Sequence, residues 1–410
     1  MEPLSPLPPH LGPSLGPSPV VPPLTLAPLS RPPSSGPPSQ PSRPPLSPPA
    51  GYVRSVHACP AAYPRMYEGT FSRESYPFSP IPEDESKKAR AARIEKDKIT
   101  VERWKRENPV EGGATLVMLH ANGMLKEDYH PLLVSLFASS PNAQFGNRAP
   151  LPGGVAVVND VFLLEDTLHG ASVDLNAGKL PSLHSWGDLA RDLQNFLRYC
   201  MPGLDENPGW ALEWKERAPR KVFAVGHSFG ELFEGLFLIE PMTNPTGANN
   251  SPARHYFIQG LTLKRRDTWP SVEAAQANRS NPMFSKFPDA TFGLWLSHGL
   301  VPTRTGEVTL ATPPWCEAVV FSDCHSPQRG WDLLPTLKMP VGFVTAEDAS
   351  WIGGAEIAAE ITSRPPRARN ERTRAGHVAV QEDPVGVGEA LGRYLATIRA
   401  GVWDATGSRL

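Results

Sequence analysis

The sequence predicts an α/β protein, a mostly parallel sheet with helices packed on both faces. Three observations carry this. Short, continuously apolar runs at 115–119, 222–225 and 341–345 read as strands buried on both sides. Amphipathic stretches separate them, as at 185–198, where Trp186, Leu189, Leu193, Phe196 and Leu197 share one face. The run 222–225 leads directly into Gly226-His227-Ser228-Phe229-Gly230, a strand that ends in a tight turn carrying a serine. In such a turn the serine backbone is strained, and side chains at the two glycines would collide with neighbouring elements.

Taken in order, residues 1–50 are rich in Pro, Ser and Leu. They read as a disordered, partly polyproline-II tail, because proline has no N–H to donate. Residues 51–98 form an N-terminal extension without a clear pattern, except that 87–98 interleaves basic and acidic residues as a solvated helix does. The domain proper is expected over 99–407. Its strands are expected at 99–103, 115–119, 154–158 (followed by a loop to Gly170), 222–225, 236–240 and 341–345. Helices are expected at 185–198, 355–361 and 384–398, the last with Pro384 in its first turn. Residues 264–335 break the rhythm with many prolines and with Trp269, Phe284, Phe287, Phe292, Trp295 and Trp315. They read as an insertion that caps the sheet and lines an apolar pocket.

Composition narrows the function classes. The chain has 410 residues, 40% of them hydrophobic, and a net charge of −2, which gives no electrostatic footprint for nucleic acid. No apolar stretch reaches the roughly 18 residues of a membrane span, and no secretory leader pattern opens the chain. The four cysteines, Cys59, Cys200, Cys316 and Cys324, are too scattered for a disulfide framework or a zinc site and read as free thiols. No dinucleotide fingerprint or ligand cluster appears, so neither a cofactor nor a metal is expected. The final tripeptide, Ser408-Arg409-Leu410, is a conservative variant of the Ser-Lys-Leu address read by the peroxisomal import receptor.

A serine nucleophile needs a base, an acid to orient the base, and donors for the oxyanion. Ser228 is the candidate nucleophile. His377, in a loop between the late strand and the closing helix, is the candidate base. The turn His120-Ala121-Asn122-Gly123 ends an early strand. Its Asn122 N–H, with that of Phe229, is the candidate oxyanion hole, and His120 reads as structural. For the acid, counting from the late strand reaches Ala349, which cannot serve, with Asp348 one position early.

The order His-Ala-Asn-Gly, Gly-His-Ser-x-Gly and a late Gly-His resembles the α/β-hydrolase superfamily. More narrowly it resembles the fungal group that includes the mycophenolic-acid-pathway acyl-CoA hydrolase and the AK-toxin-pathway hydrolases. The stretches His169-Gly170-Ala171-Ser172, Ser185-Trp186-Gly187-Asp188, Leu238-Ile239-Glu240-Pro241 and Lys264-Arg265-Arg266-Asp267-Thr268-Trp269-Pro270-Ser271 carry it further, over roughly residues 52–400. The resemblance implies an α/β-hydrolase fold with a cap, and cleavage of an ester or acyl-CoA thioester without a cofactor, often in the peroxisome. It also implies an acid that ends the strand after the nucleophile, here Glu240, favoured over Asp348. One departure stands out. Only seven residues, 229–235, separate Ser228 from the expected strand 236–240, fewer than the 10–12 or so of an ordinary parallel crossover. That shortage predicts either a lost helix or a displaced strand, and with it a rival reading as a non-catalytic binding protein.

Overall fold

The computed structural model describes residues 46–62, 65, 69–71, 97–138, 157–201, 221–227, 235–247, 250–401 and 403. Outside them lie the candidate nucleophile Ser228, the candidate oxyanion donor Phe229, the proline-rich tail through residue 45, the expected helix up to residue 96, and Ser408, Arg409 and Leu410.

Eight strands form the central sheet: β1 (Tyr52–Pro60), β2 (Lys98–Arg106), β3 (Ala114–Leu119), β4 (Val158–Glu165), β5 (Lys221–His227), β6 (Gly235–Ile239), β7 (Val341–Ala346) and β8 (Ala368–Thr373). Their spatial order is β1-β2-β4-β3-β5-β6-β7-β8. The β1–β2 and β2–β4 pairs are antiparallel and the rest are parallel. Every residue of β3, β6 and β7 is buried, as expected of central strands covered on both faces.

Two elements correct the expectation from sequence. The sheet starts at β1, ahead of residue 99, within the segment that gave no clear pattern. As the edge strand, β1 is only half-buried and carries Arg54 and His57, so its apolar signal is weak. The loop expected up to Gly170 is in its first half strand β4. Asn159 and Asp160 dilute its apolar pattern, and the buried Asp160 is balanced by the Arg103 guanidinium at 2.6 Å.

The helices used below are α1 (His130–Ala138), α2 (Trp186–Asn195), α3 (Pro252–Lys264), α4 (Asp289–His298), α5 (Pro314–Val320), α6 (Ala355–Ser363) and α7 (Pro384–Arg399). Ser185 caps α2 by accepting from the Gly187 N–H, and Asp383 caps α7 by accepting from Gly386. Helices α1 and α7 bury Leu132, Leu133, Val387 and Leu391 with Met118, Val225 and Phe237 of the sheet. On the opposite face Leu189 and Leu193 of α2 pack on Val117 and Phe162, while Ile361 of α6 packs with Phe343. The cap lies in the chain between β6 and β7. It includes α3, α4, α5 and a small three-stranded sheet of Thr268–Trp269, Leu300–Pro302 and Val308–Leu310, so it opens earlier than residue 264.

Strand β6 is not displaced. It pairs in parallel with both neighbours, His227 opposite Ile239 and Val344 opposite Ile239. The return from the level of Ile239 to that of Gly235 is about 14 Å, four strand residues plus one lateral step. Seven residues, 228–234, can reach about 25 Å when extended, so the connection suffices without a helix. The shortage shows elsewhere. Right-handed crossovers that move toward β8 all pass over the face bearing α2 and α6. On that face, between α2 and the helix Ser326–Leu333, an open apolar trench is walled by Leu189, Leu193, Leu236, Leu238 and Leu337. Inserting an amphipathic helix of about 12 residues after Gly230 is expected to fill this trench and raise the thermal midpoint by several degrees. A midpoint unchanged or lowered in a calorimetric scan would reject the assignment of the trench to a missing crossover helix.

Candidate functional site

One residue beyond β6, Glu240 is fully buried and adopts φ 45°, a left-handed conformation that costs a non-glycine residue about 1 kcal/mol or more. The surroundings fix it there. Its N–H donates to the Val344 carbonyl at 2.8 Å, and its Oε1 accepts from the Ala346 N–H at 2.6 Å. Both partners belong to β7, so the parallel β6–β7 pairing itself aims the carboxylate. Oε2 is thereby left facing the His377 Nδ1, 3.3 Å away.

His377 sits in the loop between β8 and α7, its side chain 17% exposed. Several bonds pin that loop. The Gly376 N–H donates to Glu382, the Ala375 N–H to the Thr373 hydroxyl, and His227 Nε2–H to the His377 carbonyl at 2.7 Å. Burial and the neighbouring His377 press the His227 pKa down to about 3, so this ring is neutral and carries its proton on Nε2. His227 is the last residue of β5 and immediately precedes Ser228, so the strand bearing the candidate nucleophile is tied to the loop bearing the candidate base. With Nδ1–H given to Glu240, the His377 Nε2 is free to accept a proton.

Trp351 stacks on the His377 ring, centroids 5.3 Å apart and planes 17° from parallel. Behind it the Arg254 guanidinium lies 6.0 Å from the indole and donates to the Trp351 carbonyl. The alternative acid, Asp348, is not brought to this imidazole. It is exposed, and its carboxylate accepts from the N–H and hydroxyl of Ser350, closing its own loop.

At the end of β3, the side chain of Asn122 donates to the Glu317 carbonyl of α5, and its backbone N–H meets no acceptor among the described residues. The next N–H, of Gly123, donates to His169 Nε2 at 2.9 Å. The same Nε2 lies 3.1 Å from the Asn122 Oδ1, and His169 Nδ1 faces Asp166 at 3.3 Å. Gly123 has φ +77° and a Cβ there would come within 2.6 Å of the Glu317 carboxylate, so only glycine makes this turn. His120 is buried, with Nδ1 on the Ala121 carbonyl, and its Nε2 accepts from the Asp166 N–H at 3.2 Å. Its pKa is lowered to about 3, mainly by burial and by His169. The His-Ala-Asn-Gly turn is thus fastened by two buried histidines. From sequence, His169 and His227 were named only within longer stretches and given no role of their own, and Trp351 was not named. A His-Gly pair after a strand was the one available signal, for His169.

Beyond the turn, the segment after β3 and the cap line an open cavity bounded by Gly123, Trp269, Phe284, Phe287 and Trp295. The aromatic wall is mutually packed, Phe284 against Trp295 at 4.4 Å and Trp269 edge-on to Trp295 at 5.7 Å. The aromatic-rich insertion therefore lines a pocket, as its composition suggested.

A fully buried carboxylate on an imidazole, carried on a sheet of this strand order under a cap, defines the α/β-hydrolase fold. The peroxisomal α/β-hydrolase Lpx1 of Saccharomyces cerevisiae superposes with a TM-score of 0.63 at 15% identity, covering 88% of this chain and 92% of that one. E-2-(acetamidomethylene)succinate hydrolase superposes at 0.51 with 13% identity, covering 72% and 95%. In sequence, the chain is similar to the type I acyl-CoA thioesterase mpaH' of Penicillium brevicompactum, 30% identical over 205 residues. It is also similar to mpaH of Penicillium roqueforti, 27% identical over 241 residues. These matches cover 45% and 52% of this chain, and 40% and 45% of the relatives' own length. No family model matches the chain.

Proposed function

We propose that the protein is a serine hydrolase that cleaves a carboxylic ester or an acyl-CoA thioester and works in the peroxisome. The observation that carries the reading is the Glu240–His377 pair, tied by the His377 carbonyl to His227, the residue before Ser228. In the proposed reaction the Ser228 hydroxyl attacks the acyl carbonyl while His377 Nε2 takes its proton. Glu240 holds the imidazole in the Nδ1–H tautomer and stabilises the cation that forms. The N–H groups of Asn122 and Phe229 receive the developing oxyanion. His377 then returns the proton to the leaving alcohol or thiol, and water repeats the sequence on the acyl-enzyme. The aromatic cavity takes the acyl chain. Similarity to two acyl-CoA thioesterases favours the thioester.

The test is labelling and turnover together. A fluorophosphonate should attach covalently to Ser228, and panels of acyl-CoA thioesters and p-nitrophenyl esters should yield a substrate. The trench left by the short crossover supports the rival reading, a ligand-binding protein without turnover. Absence of both labelling and hydrolysis in folded protein would establish that rival.

Peroxisomal location rests on Ser408, Arg409 and Leu410 and on the import receptor that reads such a tripeptide. Deleting the three residues is expected to move a fluorescently tagged protein from puncta to diffuse cytosol, with activity in extracts unaltered. An identical distribution with and without them would discard the targeting reading.

A further inference from the structure

We propose that Arg266 binds the phosphate-bearing end of the substrate at the rim of the aromatic cavity. The proposal rests on the thioester reading above and assigns the residues that would choose a nucleotide-bearing thiol over a plain one. It starts from the Lys264-Arg265-Arg266 run, which the proposed chemistry leaves unused.

Three charged groups line the cavity: Asp128, Arg265 and Arg266. Two are already answered. Arg265 meets the Glu317 carboxylate at 2.5 Å, and that carboxylate in turn lies against Gly123. Asp128 is buried, which raises its pKa to about 6, and it accepts from the Leu125 N–H and the Gln381 amide. Arg266 differs. Its Nε–H donates to the Thr268 carbonyl at 2.9 Å and its guanidinium lies 5.4 Å from the Trp269 ring, which fixes the head group in place. No carboxylate pairs with it among the described residues. A guanidinium held by one edge and one face keeps its terminal N–H groups for a ligand, in the fork that matches phosphate oxygens.

Placement adds to this. An acyl cavity walled by Trp269, Phe284, Phe287 and Trp295 gains nothing from a cation for the acyl chain itself. A cation there is useful if the ligand brings an oxyanion. Such an oxyanion has two sources: a carboxylate on the acyl group, or phosphates on the carrier thiol. Lys264, Arg265 and Arg266 are consecutive and exposed, so the positive charge faces solvent at the rim, where a carrier must emerge after its acyl group has entered. Phosphate on the carrier fits that location.

Calorimetric titration with free coenzyme A tests binding without depending on turnover. Wild-type protein should bind it. Arg266→Ala should weaken the Kd about tenfold or more, while Arg304→Ala, on an exposed turn of the cap, should not. Arg266→Glu should weaken it further, and matching thermal midpoints would show each variant folded. The second arm compares acyl-coenzyme A with the same acyl group on N-acetylcysteamine, which lacks phosphate. The preference for the coenzyme A ester, as a ratio of kcat/KM, should fall about tenfold in Arg266→Ala. A Kd for coenzyme A equal in wild type and Arg266→Ala, or no binding by wild type, overturns the proposal. A preference that stays with Arg266 only for acyl groups bearing a carboxylate also overturns it and places the oxyanion on the acyl group. Binding that depends on Arg266 without any thioester cleavage would keep this site and sink the thioesterase reading. Cleavage that is indifferent to Arg266 would do the reverse.

Discussion

Ser228→Ala is expected to abolish turnover and fluorophosphonate labelling while leaving the thermal midpoint at or slightly above that of wild type. The substitution removes the oxygen proposed to attack the acyl carbonyl, and in a turn of the nucleophile-elbow type a smaller side chain is expected to be tolerated. His377→Ala should lose activity on the order of 10³-fold or more, because the serine proton then has no acceptor. The two losses should not add. A nucleophile and base that act as one unit lose their effect together, so in the proposed mechanism the double variant should be about as inactive as either single one. A steady-state assay of the three variants on one ester decides it. Near wild-type rates in either single variant would remove the proposed mechanism, and multiplicative losses would mean that the two residues work independently.

Much of the architecture was legible because central parallel strands announce themselves. The runs at 115–119, 222–225 and 341–345 are almost wholly apolar, since helices cover both of their faces. The misses have the converse cause. Strand β1 has a partner on one side only, and the buried Asp160 of β4 is tolerated through Arg103, a residue far away in sequence. A local pattern cannot report a distant counter-charge. A lost helix or a displaced strand was expected because a helical crossover was assumed, and the pairing of His227 with Ile239 shows that the strand keeps its place.

The site divides along the same line. Serine in its glycine-flanked turn and histidine in a late loop are local signals. Glu240 was favoured through resemblance, not spacing, and the geometry shows why spacing alone was mute. Its position depends on two backbone bonds to β7, more than a hundred residues downstream, and on a left-handed φ that no motif encodes for glutamate. Trp351, His227 and His169 act through contacts between distant loops, and single-residue identity carries no trace of those.

Glu240→Gln against Asp348→Asn is the sharpest test of that geometry, and the first is expected to cost on the order of 10³ to 10⁴ in kcat while the second costs little. The reasoning lies in which atom the amide must present. The Ala346 N–H, 2.6 Å from Oε1, can be accepted only by oxygen, so a glutamine is forced to keep its carbonyl there. Its NH₂ then occupies the Oε2 position and points at His377 Nδ1. Facing a donor, Nδ1 must become the acceptor, and the ring proton moves to Nε2, the atom that should receive the serine proton. The base is thus held in the wrong tautomer, and the imidazolium has lost its counter-charge as well. Asp348→Asn changes an exposed carboxylate that among the described residues bonds Ser350, so neither tautomer nor field at His377 is expected to change. Circular dichroism should find both variants folded, since the glutamine still satisfies Ala346. Comparable losses in the two variants would detach the acid from β6, and a larger loss in Asp348→Asn would move the role to the loop after β7.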